Sequence, residues 1–276
     1  MQIQVPTRTE AREQAGYFTV PGAHLYSVLH QVTNPVARVL LAGPFASERQ
    51  FSYNPWVRWA RYLAARQVEV LRYDYRGVGE STGVFTETTF EHWHEDIDLL
   101  ADWIAGRSPD IPLLLHGVEM GAILAAKCFQ RGIGDALLLW APPADANQSL
   151  RAILRRWAGM EQLFESPDNR KSAVEYIRDL EQGTSIEVHG YEWSSRLWQE
   201  SSNFHLPAGL TEQMSLFSSG ERPIKIVTFG KDAKSMVMPY RRYEEGQDLT
   251  GLYSSTFDWI TDAVARKTGE PHAGSN

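Results

Sequence analysis

Apolar and polar positions follow two different periods along this chain. Short apolar runs bounded by turn residues are typical of buried strands, and they occur at 37–43, 68–74, 111–117, 135–143 and 224–230. Between these runs, apolar residues recur every three or four positions, which predicts amphipathic helices; one such stripe is formed by Trp93, Ile97, Leu100 and Ile104. The alternation of strands and helices indicates a mostly parallel sheet with helices on both faces.

Two segments depart from this alternation. Residues 17–32 are rich in β-forming residues and are split by Pro21-Gly22, which predicts a hairpin ahead of the parallel strands. Amphipathic helices around one short strand-like run predominate after residue 143 and continue to residue 220. We therefore predict a core of residues 15–143 and 221–267, a cap insertion of residues 144–220, and flexible termini at 1–14 and 268–276.

The segment Gly117-Val118-Glu119-Met120-Gly121 joins the strand-like run 111–117 to a predicted helix at 122–132. Glycines at this spacing permit a sharp strand-to-helix turn, because a side chain at either position would collide with neighbouring backbone. In the G-x-S-x-G nucleophile elbow of the α/β-hydrolase fold, the residue between the glycines is a serine exposed at the top of the sheet. In this chain that residue is Glu119.

Two further loops occur in the register that the same fold requires. Gly43-Pro44-Phe45 follows an early strand, where the fold supplies one oxyanion-hole amide, and Met120 follows the elbow residue, which supplies the other. The loop D-Y-R-G-V-G-E-S at 74–81 matches the pattern D-x-R-G-x-G-x-S, which is common in lipase-like and peptidase-like members of the fold. The predicted fold is therefore an α/β-hydrolase fold with a helical cap, and the predicted oxyanion-hole or pocket residues are Gly43, Phe45, Arg76 and Met120.

Several segments resemble one family within this fold, the second type of α/β hydrolase associated with exosortase A gene clusters. The resembling segments are P-F-A-S-E-R-Q at 44–50, R-G-V-G-E-S at 76–81, F-x-E-T-T-F-E-H-W at 85–93, L-L-L-W-A-P at 137–142 and E-V-H-G-Y at 187–191. The resemblance covers most of residues 25–265. It implies a non-serine residue at the elbow and a setting beside exopolysaccharide and protein-sorting systems.

Serine hydrolysis needs a nucleophile, a base within hydrogen-bond reach and an acid that orients the base. The acid normally follows the strand that reads I-K-I-V-T-F-G here, so Asp232 is the candidate, one position earlier than the usual spacing. The base should be a histidine in the loop before the last helix, which we expect at Gly251–Ser255. No histidine lies between Leu206 and Pro271. Both the serine and the histidine are therefore missing from their expected positions.

Two roles remain open for Glu119. It could be a carboxylate stabilised by the helix N-terminus and paired with Arg76 or Arg49, able to bind a cationic or hydroxyl-bearing ligand or to act as a general base. As a nucleophile it would form an ester intermediate, and a histidine would be needed to activate the water that cleaves it. His189 or His205 of the predicted cap could supply that histidine.

The other histidines have competing interpretations. His116 ends the strand before the elbow and is either a residue that assists Glu119 or a hydrogen-bonded structural histidine. His92 and His94 point to different sides of a predicted helix, which makes a poor metal chelate, so we expect solvated side chains there and no metal site. The chain has neither a P-loop nor a G-x-G-x-x-G motif, and we predict no cofactor.

Composition narrows the functional classes. A net charge of −7 without a basic cluster argues against a nucleic-acid partner. The single cysteine, Cys128, excludes an intrachain disulfide. The polar N-terminus does not resemble a signal peptide, and no apolar run approaches the ~20 residues of a transmembrane helix, which together predict a cytoplasmic location without a membrane span.

Three functions follow from these features. The first is an α/β-hydrolase-like protein without serine hydrolase activity, which binds an acyl, ester or glycan-linked small molecule in a cap-covered pocket. The second is a hydrolase of unusual mechanism that uses Glu119 as base or nucleophile. The third is a partner-binding subunit that is encoded beside related enzymes.

Overall fold

A computed structural model describes residues 12–164, 166, 169–210, 222–228 and 249–268. The strands are β1 (Arg12–Val20), β2 (Ala23–Gln31), β3 (Ala37–Ala42), β4 (Val68–Tyr73), β5 (Leu113–Val118), β6 (Ala136–Trp140), β7 (Ile186–Val188), β8 (Tyr191–Trp193) and β9 (Ile224–Val227). The helices are α1 (Glu48–Ala64), α2 (Phe90–Gly106), α3 (Met120–Gln130), α4 (Ala146–Phe164), α5 (Ala173–Glu181), α6 (Ser195–Ser201) and α7 (Thr250–Thr268).

Seven of the strands form one sheet in the order β1-β2-β4-β3-β5-β6-β9. The strands β3, β4, β5, β6 and β9 run parallel to their neighbours, whereas the β1–β2 hairpin joins the edge of β4 in antiparallel orientation. The carboxyl ends of the parallel strands therefore meet along one edge of the sheet, where ligands bind in open α/β sheets. The predicted α/β-hydrolase fold is confirmed.

Each face of the sheet is covered by an apolar cluster. On one face, α2 and α3 pack through buried side chains that include the whole predicted stripe of α2. On the other face, α1 and α7 pack through Trp59, Leu63, Tyr253 and Ile260. Side chains of alternate strand positions fill both clusters, which is the reason that the parallel strands read as continuous apolar runs.

Two boundaries differ from the sequence predictions. β1 begins at Arg12, so three residues of the segment 1–14, which we expected to be flexible, lie in a strand. Helix α7 begins at Thr250, so Gly251–Ser255, which we expected to be a loop, form its first turns. Tertiary packing explains the second difference, because Tyr253 stacks on Trp59 and its hydroxyl donates to the carbonyl of Pro55 at 2.8 Å.

The short strand-like run predicted among the helices after residue 143, at residues 185–191, lies in a small hairpin, β7–β8. Its turn residues His189 and Gly190 have φ values of 51° and 81°, as a two-residue type I′ turn requires. Helices α4, α5 and α6 surround this hairpin, and their buried side chains belong to the same apolar cluster as α2 and α3. The division of the chain into a core and a cap at residues 144–220 stays a prediction.

No helix in the described ranges combines the length and the apolar character that crossing a bilayer requires.

Candidate functional site

The turn between β5 and α3 has a strained backbone at its tip. Glu119 has φ 52° and ψ −121°, a combination that residues with a side chain rarely adopt. A Cβ on Gly117 would lie 2.4 Å from the Cα of Ala122, and one on Gly121 would lie 2.3 Å from the carbonyl oxygen of Gly43. Both approaches are too close for real atoms, so the two glycines permit this turn, as the sequence predicts.

Backbone hydrogen bonds hold Glu119 in place. Its amide donates to the carbonyl of Trp140 at the end of β6, and its carbonyl accepts from the amide of Ala122, both at 2.9 Å. Only 7% of the residue is exposed. The acidic side chain therefore begins at the N-terminus of α3, where the helix dipole favours negative charge.

The amides of Phe45 and Met120 lie beside this turn. Ala42 stands opposite Gly117 in the parallel pair of β3 and β5, so the loop of Phe45 starts next to the elbow. In the part of the chain that the structure describes, neither amide donates a hydrogen bond to another protein group. A pair of such donors can bind a carbonyl oxygen or an oxyanion.

The loop after β3 is held by two kinds of contact. The hydroxyl of Tyr75 donates to the carbonyl of Gly43 at 2.6 Å, and burial raises the pKa of this hydroxyl, so it remains a donor. The ring of Phe45 is buried edge-on against Trp93 at 5.3 Å and Trp193 at 5.9 Å between centroids. The side chain of Phe45 thus fixes the loop.

The expected pairing of Glu119 with Arg76 or Arg49 is not observed, because other carboxylates bind both guanidinium groups in bidentate fashion. Arg49 donates to the two oxygens of Asp74 at 2.6 and 2.7 Å. Arg76 donates to the two oxygens of Asp96 at 3.1 and 2.6 Å. Burial raises the pKa of Asp96, although Arg76 opposes that shift. Arg76 therefore anchors the loop 74–81 to α2.

His116 lies on the opposite face of the sheet from the first apolar cluster. Its ring is fully buried against Trp56, Trp59 and Trp140, with centroid distances of 5.4, 6.2 and 4.7 Å. Its Nδ1 lies 3.1 Å from the carbonyl oxygen of Leu138, and burial lowers its pKa to about 3. This environment is that of a hydrogen-bonded structural histidine.

The remaining site predictions have different outcomes. Asp232 lies outside the described residues. His205 is exposed and forms an isolated bridge with Asp145. His189 is partly buried at the β7–β8 turn, 4.5 Å from the ring of Trp157 between centroids. Burial, with the positive charge of Arg156, lowers the pKa of His189.

The expectation of solvated side chains at His92 and His94 is wrong. His92 accepts a hydrogen bond from the amide of Thr89 at its Nδ1 and closes a capping box at the start of α2. His94 is 8% exposed because Phe204, which follows α6, covers its ring. Within the described ranges, no group of three or more His, Cys, Asp or Glu side chains could hold a metal ion.

Sequence reasoning missed one charged pair beside the loop between β3 and α1, residues 43–47, which we call the elbow loop. Glu48, in the first turn of α1, is 1% exposed and forms an ion pair at 3.1 Å with Arg156 of α4. An acidic residue in the first turn of a helix is an ordinary feature, so nothing in the sequence pattern marks Glu48 as buried. This pair joins α4 to the first turn of α1, which follows the loop of Phe45.

Among the described residues, the elbow loop borders a small cavity. One cavity of about 20 Å³ is bordered by Gly43, Pro44 and Tyr75, which is room for about one water molecule. Two larger cavities, of about 330 and 530 Å³, lie elsewhere, and Glu119 lines none of these three.

Comparison with curated proteins finds relatives over part of the chain. Lysophosphatidylserine lipase ABHD12 of Macaca fascicularis is 27% identical over 131 residues, which are 43% of this chain and 31% of the relative. The protein of the same name from Xenopus tropicalis is 26% identical over 135 residues, which are 45% of this chain and 33% of the relative. The matched segment thus spans about a third of the length of these relatives.

Solved structures share the fold along most of the chain. Est1E from Butyrivibrio proteoclasticus with bound ferulic acid superposes with a TM-score of 0.56 at 18% identity, covering 91% of this chain and all of that one. A soluble variant of monoglyceride lipase from Saccharomyces cerevisiae has a TM-score of 0.56 at 15% identity, covering 94% of this chain and 97% of that one. At these identities the likeness shows the fold alone.

A family model gives the more specific result. Residues 23–167 match the family described as serine aminopeptidase, S33, which is more than half of the 276 residues. The matched region runs from β2 past the end of α4, and it includes the elbow and both loops beside it. The chain therefore belongs to the serine aminopeptidase S33 family of the α/β-hydrolase superfamily, with a glutamate at the elbow position.

Proposed function

We propose that this chain binds a small acyl, ester or glycan-linked molecule at the elbow and does not hydrolyse it by serine chemistry. One observation carries the proposal: Glu119 occupies the strained tip of the elbow, beside two backbone amides that donate to no other protein group among the described residues. These two amides would bind a carbonyl group, whereas the residue at the nucleophile position is a carboxylate.

The distribution of histidines argues against turnover through Glu119. An ester formed on its carboxylate would need a general base to activate water. His116 packs among tryptophans on the other side of the sheet, and the sequence has no histidine between residues 206 and 271. Without a base, such an ester would persist as a dead end.

The same groups suggest how the ligand is held. The amides of Phe45 and Met120 would donate to a carbonyl oxygen, and the carboxylate of Glu119 would accept from a hydroxyl group of the ligand. An acylated glycerol or sugar carries both groups. The name of the curated relatives, lysophosphatidylserine lipase, agrees with this ligand class.

The proposed setting comes from the resemblance to hydrolases associated with exosortase A gene clusters. In that setting the ligand would be an acylated or glycan-linked intermediate, bound in the cytoplasm beneath a cap formed by residues 144–220. The ion pair of Glu48 with Arg156 would hold this cap closed over the elbow loop.

The first experiment separates binding from serine chemistry. Native protein and the variants Glu119→Gln and Glu119→Ser are treated with a fluorophosphonate probe and with p-nitrophenyl esters. We expect no labelling and no turnover for the native protein and Glu119→Gln. Turnover by the native protein that Glu119→Gln abolishes would overturn the proposal and would support catalysis by the carboxylate.

The second experiment tests the binding itself, with a monoacylglycerol as the probe and isothermal titration calorimetry as the measurement. We expect native protein to bind it and Glu119→Gln to bind about tenfold more weakly, the loss expected for one hydrogen bond to a charged group. Glu80→Gln, which changes an exposed side chain, should bind as the native protein does. Equal affinities for all three proteins would contradict a role for Glu119.

A second candidate function has one observation in its favour. His189 lies beside Trp157 and close to the charge of Arg156, which itself contacts Glu48 near the elbow loop. If the predicted cap shifts, His189 is the described histidine best placed to assist Glu119 as base or nucleophile. Ester, epoxide or haloalkane turnover that requires both Glu119 and His189 would establish this function.

A further inference from the structure

A groove lies between the β1–β2 hairpin and helix α2, apart from the elbow. It has a volume of about 330 Å³, within the range of roughly 300–1,000 Å³ for small-molecule sites. Its lining includes Gly16, Phe18, Leu29, Leu71, Leu100 and Trp103. We call it the hairpin groove.

The hairpin groove exists because two small residues face each other in the hairpin. Gly16 of β1 pairs with Ser27 of β2, whereas the neighbouring pairs on the same face are Gln14 with Leu29 and Phe18 with Leu25. Residues two apart along a strand share a face. Gly16 therefore lies in the row of Phe18, which packs on the core, and a Cβ on Gly16 would meet nothing within 4 Å.

The inner surface of the groove is apolar and aromatic. Leu29, Leu71 and Leu100 form its floor and are buried in the core cluster. Phe18 and Trp103 close one end with an edge-to-face contact at 5.7 Å between ring centroids. Trp103 keeps 39% of its surface exposed. Burying this surface against an apolar ligand would be favourable.

Among the described residues, the one charged side chain that lines the groove, Arg107, belongs to a largely buried cluster with an excess positive charge. Glu69, which is 2% exposed, pairs with Arg38 at 2.9 Å and with Arg107 at 3.4 Å. Two guanidinium groups thus share one carboxylate, and the cluster keeps one net positive charge. Arg107 is the more exposed of the two arginines, and it both lines the groove and lies over the ring of Trp103.

We propose that the hairpin groove binds an amphiphile with a single alkyl chain and a carboxylate head. The chain would lie on the leucine floor between Phe18 and Trp103, and the carboxylate would accept hydrogen bonds from Arg107. Arg38 and Glu69 lie at the amino ends of β3 and β4, whereas the elbow lies at the carboxyl end of β5. This site is therefore separate from the elbow and does not depend on its function.

The test uses decanoate, with isothermal titration calorimetry of the full chain. Native protein should bind decanoate saturably, and decyltrimethylammonium, which has the same alkyl chain and a cationic head, should bind at least tenfold more weakly. Arg107→Gln should weaken decanoate binding about tenfold, as expected when one charged hydrogen-bond partner is removed. Arg58→Gln, an exposed arginine on α1, serves as the matched control and should bind normally.

A second variant tests the cavity rather than the charge. Gly16→Leu places a side chain in the open space of the groove, and the fold should accept it because the backbone of Gly16 is not left-handed. We expect unchanged circular dichroism and a loss of decanoate affinity of at least tenfold. Glu119→Gln should bind decanoate as the native protein does, which separates this site from the elbow.

Three results would each overturn the proposal. The first is an absence of saturable decanoate binding by the native protein. The second is equal binding of the cationic amphiphile, which would show that Arg107 does not select the head group. The third is full affinity in Gly16→Leu, which would place the bound chain elsewhere.

Discussion

Three residues determine the geometry at the carboxyl end of β5. Gly117 and Gly121 allow the backbone of α3 to approach β3 and β5, and Glu119 takes the left-handed conformation between them. Each of these conditions is local, so it can be tested one residue at a time.

The glycine at position 121 has the clearest expected effect. Gly121→Ala would place a Cβ 2.3 Å from the carbonyl oxygen of Gly43 and should lower the free energy of unfolding by about 3 kcal/mol, as overpacking of a rigid site does. Urea unfolding measures the change. Gly159→Ala is the control, because Gly159 is an exposed position of α4 and a Cβ there meets nothing within 4 Å. This substitution should raise the free energy of unfolding by about 0.5–1 kcal/mol. Equal effects of both substitutions would contradict the steric explanation.

The residue scale also shows what the sequence could and could not predict. The turn was predictable, because its glycines act on backbone within a few residues. The partners of Arg49 and Arg76 were not, because Asp74 and Asp96 reach them only after the strands and α2 have packed. By charge alone, each arginine could pair with many carboxylates of the sequence, and the fold determines which of them lies within reach.

At the scale of elements, the segment from α4 to α6 shares one apolar cluster with the sheet. One ring in this segment and one just after it pack directly on rings outside it: Trp193 on Phe45, and Phe204 on Phe90 of α2 at 5.2 Å between centroids. The sequence predicted the helices of this segment from their periodicity. It did not predict the β7–β8 hairpin, since three-residue strands are too short to show a period.

Trp193 provides the test of this shared packing. Because the ring is fully buried against Phe45, Trp193→Ala should lower the free energy of unfolding by about 3–5 kcal/mol and lower the Tm of one common transition. Differential scanning calorimetry measures both quantities. Leu163→Ala, at a side chain that is 76% exposed, should change stability by less than about 0.5 kcal/mol. A new low-temperature transition beside an unchanged main one would indicate that the segment from α4 to α6 unfolds on its own.

At the scale of the whole molecule, two buried neutral histidines couple folding to pH. Burial lowers the pKa of His116 to about 3, and burial with the positive charge of Arg72 lowers that of His30 to about 4, although Glu13 opposes the second shift. In the unfolded chain both return to the ordinary value of 6.5. Between these values the unfolded state binds more protons than the native state does, so acid favours unfolding.

The expected result is a stability that is fully present above about pH 6.5 and declines as the pH falls toward 4. Each histidine contributes up to ~1.4 kcal/mol per pH unit in that interval. His116→Gln and His30→Gln should each flatten the decline, and the double variant should flatten it further. Urea midpoints measured at several pH values between 7 and 4.5 give the slopes. Identical slopes in the native protein and all variants would show that these rings are protonated in the folded state.

The strained turn has a consequence for engineering. The features that shape it, two glycines and the hydrogen bond from the backbone amide of residue 119 to Trp140, come from backbone atoms and neighbours. None of these features involves an atom of the side chain at the tip. A designer can therefore exchange the functional group at position 119 while keeping these backbone features of the turn.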